Sequence, residues 1–180
     1  MLPISSLKTT YCLLPALILG LTGCGLTQSV TQGTTSTVKS IFYKKIITLH
    51  LDFTAREALN TDSTENNSLS EPVMVRVYQL QDRKTFDKAL YQQLLNEGDT
   101  VLGSDLLARR DVVLKPGGDV LLNMPMEPGT TFVAIVGLFR HPDMATNSWK
   151  QVLTLDELDP DKPRVIEAGH NSLTLRAEAQ

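Results

Sequence analysis

The sequence has almost no cysteine. Only two of its 180 residues are Cys, and both, Cys12 and Cys24, lie near the start. From Gly25 onward there is no thiol. That excludes a disulfide framework, a cysteine nucleophile and a thiolate metal site from the rest of the chain. Aromatic residues are scarce, at 6% with one Trp, so a core must be built mainly from Val, Leu and Ile. Basic charge is not in excess: the formal net charge is −3 and the pI is about 5.6, which gives nucleic acid nothing to bind. The motifs of common chemistries are missing too. There is no Gly-x-Ser-x-Gly, no P-loop and no dinucleotide fingerprint, and no cofactor is implied. The three histidines, His50, His141 and His170, sit on separate segments without a second ligand type at metal spacing. Asp156, Glu157, Asp159 and Asp161 read as a solvated acidic loop, and Arg109, Arg110 and Arg140 as single surface charges.

The start of the chain is informative. Lys8 is followed by an apolar run over 11–21, too short for the roughly 20 residues that span a bilayer comfortably. A charged start, a short apolar stretch and small residues describe a secretory signal peptide. Here the small residues end in Leu21-Thr22-Gly23-Cys24, which resembles the lipobox of bacterial lipoproteins. The resemblance implies cleavage before Cys24 and acylation of its thiol and of the new amino group. The alternative is an ordinary signal peptide with an unrelated cysteine. One acyl chain binds a membrane only marginally, whereas two or three make attachment effectively permanent. Position 25 is Gly rather than Asp. For an enterobacterial lipoprotein this implies the inner leaflet of the outer membrane, with the domain in the periplasm.

Composition then divides the chain into a signal peptide (1–23), a lipidated Cys with a flexible tether (24–40) and one folded domain (41–180). The tether is nearly all Thr, Ser, Gln and Gly, with too little apolar surface to offset ordering entropy. Fully extended it reaches at most roughly 50 Å, and about 20 Å on average as a coil.

In the domain, period-two alternation predicts a strand over 45–53, with Ile47, Leu49, Leu51 and Phe53 inward and Thr48, His50 and Asp52 outward. A second strand is predicted over 73–80. The stretch between, 54–72, is rich in Asn, Ser, Thr and Glu and far longer than a hairpin needs, as functional or disordered loops are. Thr85 is placed to cap a helix whose Phe86, Leu90 and Leu94 recur at four-residue spacing before Asn96-Glu97-Gly98-Asp99 ends it. A short helical turn is expected at 104–107. Further strands are expected over 111–115, 120–124, 131–139, 149–155 and 171–176, with a short one at 164–167. Val75, Val77, Ile135 and Val136 are the expected core. Seven or eight short strands with one inserted helix predict a mainly β fold, a two-sheet antiparallel β-sandwich.

One stretch has a specific likeness. Val73-Met74-Val75-Arg76-Val77-Tyr78-Gln79-Leu80, with Ala55-Arg56-Glu57-Ala58-Leu59-Asn60, Asp105-Leu106, Lys115-Pro116-Gly117, Val136-Gly137-Leu138-Phe139-Arg140 and Trp149, resembles the outer-membrane lipoprotein family of the type VI secretion system, TssJ. The resemblance covers about 46–175. It implies a transthyretin-like sandwich with an added helix, no catalysis, and a structural role. The partner it implies is the periplasmic C-terminal part of a TssM-type inner-membrane protein, contacted by the connection between the first two strands. On that connection the expected contact residues are Arg56, Leu59, Asn60, Asp62, Glu65, Asn66, Asn67 and Leu69. A periplasmic carrier or sensor of a small ligand is the alternative; it would need an apolar cavity with a few converging polar groups. A lipoprotein chaperone for outer-membrane assembly is a third possibility.

Overall fold

A computed structural model describes residues 45–62 and 69–177. The expected signal peptide, Cys24 and the tether lie outside the described residues. The strands are β1 (Thr48–Leu59), β2 (Val73–Leu80), β3 (Leu106–Leu114), β4 (Asp119–Pro125), β5 (Phe132–Leu138), β6 (Lys150–Thr154), β7 (Arg164–His170) and β8 (Ser172–Leu175). They form two four-stranded sheets, ordered β4-β1-β7-β8 and β3-β2-β5-β6. The sandwich expected from the alternation is the observed architecture. All pairs but one are antiparallel. β1 and β7 run parallel, so the first sheet is mixed. β7 enters beside β1 after the chain has left β6 in the other sheet, and parallel neighbours need such a long connection.

The inner faces supply the core. Leu49, Leu51 and Phe53 from β1 meet Val73, Val75 and Val77 from β2, with Leu122, Met124 and Ile135, all buried. Burying a Val, Leu, Ile or Phe side chain contributes about 1.5–3 kcal/mol. Val75, Val77, Ile135 and Val136 are each fully buried, as expected. Ile47 is not inward: it precedes the first ladder pair, Thr48 with Pro125, and is exposed, while Ile46 is buried. The alternation therefore begins one residue later than it reads.

β5 is covered on both faces because the helical insert lies over the outer face of its sheet. The insert comprises α1 (Lys84–Lys88) and α2 (Tyr91–Leu102). Ala89 and Leu90 have extended backbones and split it. The break resets the helical phase, so Tyr91 turns inward and Leu90 is exposed, contrary to the four-residue spacing. Thr85 does not cap α1. Its hydroxyl donates to Asp105 Oδ2 at 2.6 Å, and Asp82 Oδ1 accepts from the Lys84 N–H instead. α2 runs past the expected stop to Leu102, with a kink at Glu97. Beside the kink, Gly98 lies against the sheet: a Cβ there would fall 2.2 Å from Tyr78 Oη. The missing side chain lets α2 sit directly on Tyr78.

Polar groups in the interior are used. Gln79 is buried between the sheets, donates to Pro125 O at 2.7 Å and accepts from Glu127 N at 2.7 Å and Thr130 Oγ1 at 3.0 Å. It ties the β4–β5 turn to β2. Tyr91 donates to Phe139 O at 2.5 Å, packs edge-on against Trp149, and burial pushes its phenol up to about 12.

Candidate functional site

The connection between β1 and β2 sits at the end of the sandwich where β1 finishes. β1 has 12 residues, so that end lies roughly 40 Å from where the described chain enters. The connection is shorter than its composition suggests. Residues 54–59, expected in the loop, continue β1. Ala55 N donates to Gly118 O at 2.9 Å, and Arg56 O accepts from Gly117 N at 3.2 Å. Along β7 the register passes from Ala55–Ala168 to Leu59–His170 across a bulge. Pairing on both sides overrides the weak strand propensity of Ala, Arg and Glu. The connection proper is 60–72.

Three of the expected contact residues form its base rather than its surface. Leu59 is wholly buried in the core. Asn60 is buried with φ 51°, a left-handed conformation that Asn tolerates. Its backbone N–H and both ends of its side-chain amide are used. Its N–H donates to His170 O at 2.5 Å, its Nδ2 to Pro72 O at 3.1 Å, and its Oδ1 accepts from Arg140 N at 2.8 Å. Asp62 is nearly as buried, with its carboxylate 3.2 Å from His141 Nε2. Arg56 lies on the strand, not the loop, and is ion-paired with Glu167; that pairing holds the Glu167 carboxyl below its usual range. Leu69 is 77% exposed. Glu65, Asn66 and Asn67 lie outside the described residues.

The end is therefore a frame of three loops around Asn60. Arg140 and His141 come from the β5–β6 loop and Asn171 from the β7–β8 turn. Arg140 Nη1 is 2.8 Å from Glu71 Oε1, and Asn171 Nδ2 donates to Thr61 O at 2.8 Å. Sequence reading treated Arg140 as a lone surface charge and gave His141 no partner. Their contacts on the connection lie 69 to 80 residues away in sequence, and no local spacing signals them. The β5–β6 loop is set by its own turn: Asp143 accepts from the Thr146 hydroxyl at 2.6 Å, which holds its carboxyl below the usual range.

Among the described residues no group of His, Cys, Asp and Glu could hold a metal ion, and no helix is long and apolar enough to cross a membrane. A depression of ≈ 350 Å³ opens on the helical insert rather than between the sheets. It is lined by Lys84, Thr85, Lys88, Ala89, Gln93 and Val101, which is not the apolar cavity a small-ligand carrier needs.

Comparison with known proteins points the same way. No curated protein matches the chain. Among solved structures, one described as the T6SS protein TssM C-terminal domain from EAEC contains a chain 43% identical to this one. The match covers 74% of this chain and 100% of that one, with a TM-score of 0.67. A chain in a structure described as a type VI membrane complex is 44% identical, over 74% of this chain and 100% of that one, with a TM-score of 0.69. The T6SS lipoprotein TssJ1 from Pseudomonas aeruginosa has the same fold at 21% identity. That match covers 76% of this chain and 99% of that one, with a TM-score of 0.62. A family model described as type VI secretion lipoprotein (VasD, EvfM, TssJ) matches residues 47–180. That span takes in all the described strands and the frame around Asn60, and the chain belongs to the type VI secretion lipoprotein family.

Proposed function

We propose that the protein is an outer-membrane-anchored structural lipoprotein of the type VI secretion membrane complex. In this reading it docks the periplasmic C-terminal part of a TssM-type inner-membrane protein and catalyses nothing. Residues 1–23 are the signal peptide, Cys24 carries the lipid, 24–40 is the tether and 41–180 the periplasmic domain. The observation that carries the reading is the placement of the 60–72 connection. It stands on a rigid base at the end of the sandwich opposite the entry of the chain, roughly 40 Å away. The two chains 43% and 44% identical, from structures described by the TssM C-terminal domain and by a type VI membrane complex, support the choice of partner. Within the connection, Leu69 and the residues 63–68, which include Glu65, Asn66 and Asn67, are the proposed contacts. Leu59, Asn60 and Asp62 position them, and Arg56 sits on the flank.

Affinity capture from detergent-solubilised envelope tests the partner: a TssM-type protein should be recovered with the full-length chain. Cys24→Ser should deplete the protein from outer-membrane fractions, and Gly25→Asp should retain it at the inner membrane and abolish secretion. Persistence of Cys24→Ser in the outer membrane with secretion intact would refute the anchor.

A further inference from the structure

We propose that α2 is a two-state element latched by Arg76. Arg76 bends the helix by reaching into its hydrogen-bond ladder. Without that donor α2 runs straight, and its second half, 98–102, lifts off the sheet. The run Val73–Leu80, which carries the family likeness, is then the seat of a latch as well as a strand.

Nothing in the sequence of α2 demands the bend. It contains no proline, and Glu97, where the backbone leaves the helix at φ −134° and ψ 29°, is a good helix former. Bends without proline arise at Gly/Ser pairs, at π-bulges or where a side chain inserts into the i→i−4 ladder. In an unbroken helix Leu94 O accepts from the N–H of residue 98. Here it accepts from Arg76 Nη1 of β2 at 2.9 Å. The ψ of Glu97 lies roughly 70° from the helical value, which re-aims the 97–98 peptide. The broken backbone and the inserted donor thus meet at the same rung. A bond from a cation is stronger than one from a neutral amide, so the bent state prevails while Arg76 is in place.

The surroundings hold both halves of α2 to one carboxylate. Arg76 Nε is 3.3 Å from Asp111 Oδ1, and the Arg76 side chain is only 13% exposed. Arg109 Nε is 3.5 Å from the same Asp111 oxygen, and Arg109 Nη1 is 2.7 Å from Asp99 Oδ2. Asp111 therefore backs two tethers, Arg76 to Leu94 before the break and Arg109 to Asp99 after it. The first half is fixed independently: Tyr91 and Leu94 are buried, and Tyr91 is bonded to Phe139 O. The second half has a pivot at its far end in Gly103, whose φ is 51° and where an added Cβ would meet nothing within 4 Å. Between break and pivot, Gly98 rests on Tyr78 only because it has no side chain, since a Cβ would fall 2.2 Å from Tyr78 Oη.

NMR of the full-length chain in detergent tests the latch, because the backbone chemical shifts of Glu97 report its φ and ψ. Arg76→Met keeps the aliphatic stem and removes the donors. In that variant the Glu97 Cα and carbonyl shifts should move into the helical range, and the amide of residue 98 should gain protection from exchange. Asp111→Asn should move the same signals part of the way. If Arg76→Met does not fold, Arg76→Gln and Asp111→Asn carry the measurement. A second arm couples the two halves. Gly98→Ala should lower the melting temperature by several degrees in the unaltered chain, through the clash with Tyr78. Combined with Arg76→Met it should cost little, because residue 98 then stands clear of Tyr78 and alanine is the better helix former. Glu97 shifts that stay non-helical in a folded Arg76 variant assign the bend to α2 itself and overturn the inference. An equal loss from Gly98→Ala in both backgrounds overturns it as well.

Discussion

Leu59 and Leu69 stand ten positions apart on one polar stretch and have opposite fates. Leu59 ends β1 and is wholly buried; Leu69 is 77% exposed at the far side of the connection. The base of the connection is built like a core, and Leu69 like a surface. Asn60 makes the boundary by bonding to two other loops, at His170 and Arg140, and to Pro72 at the far end of its own connection. Docking elements need both properties, because a rigid base lowers the ordering cost of binding while the tip supplies contact. Residues named together as expected contacts therefore divide into buried ones, Leu59, Asn60 and Asp62, and an exposed one, Leu69.

The contrast can be broken most severely at the core. Leu59→Ala should cost about 2–5 kcal/mol in urea or thermal unfolding, whereas Leu69→Ala should stay within about 0.5 kcal/mol. Equal effects would erase the distinction. Next comes the hub. Asn60→Ala leaves Arg140 N and Pro72 O without their partner and forces a left-handed alanine. It should cost about 1–3 kcal/mol, and Asn60→Asp, which keeps the acceptor for Arg140 N, should recover part of that.

A smaller effect concerns pH. The folded-state value of Tyr91 is raised from 10.0 to about 12 by burial. Between those values the folded protein holds a proton that the unfolded chain releases. The Tyr91 contribution is thus complete below pH 10 and is lost as pH rises toward about 12. Tyr91→Phe should flatten that alkaline limb in unfolding experiments while lowering stability at neutral pH through loss of the hydrogen bond to Phe139 O. The smallest effect is at the rim. Arg140→Ala breaks an exposed ion pair with Glu71 and should cost no more than about 1 kcal/mol, because its backbone N–H still reaches Asn60.

The sandwich was legible because alternation is a local signal. Leu49, Leu51 and Phe53, or Val73, Val75 and Val77, state which face is inside without reference to any other segment. The β1–β7 pair was not, because parallel pairing depends on where a distant strand arrives. The extension of β1 was hidden for the same reason. Ala55-Arg56-Glu57-Ala58 has no strand pattern of its own and is held by Gly117, Gly118 and β7. The resemblance located the connection, but composition placed its start six residues early, within what is the end of β1, and it gave no sign that Leu59, Asn60 and Asp62 are buried. The frame partners Arg140, His141 and Asn171 are tertiary facts that no window of sequence contains.

The most direct measurement replaces only the tip. A full-length chain with 63–70 exchanged for a short Gly-Ser linker keeps Leu59, Asn60 and Asp62, and with them the base. A linker spanning 59–70 would remove the base as well and confuse folding with binding. Loop closure changes little with length, so the melting temperature should hold. The dissociation constant for the periplasmic C-terminal domain of the TssM-type protein should rise at least tenfold, a loss of about 1.4 kcal/mol or more. An unchanged dissociation constant in a chain that melts normally would contradict docking through this connection.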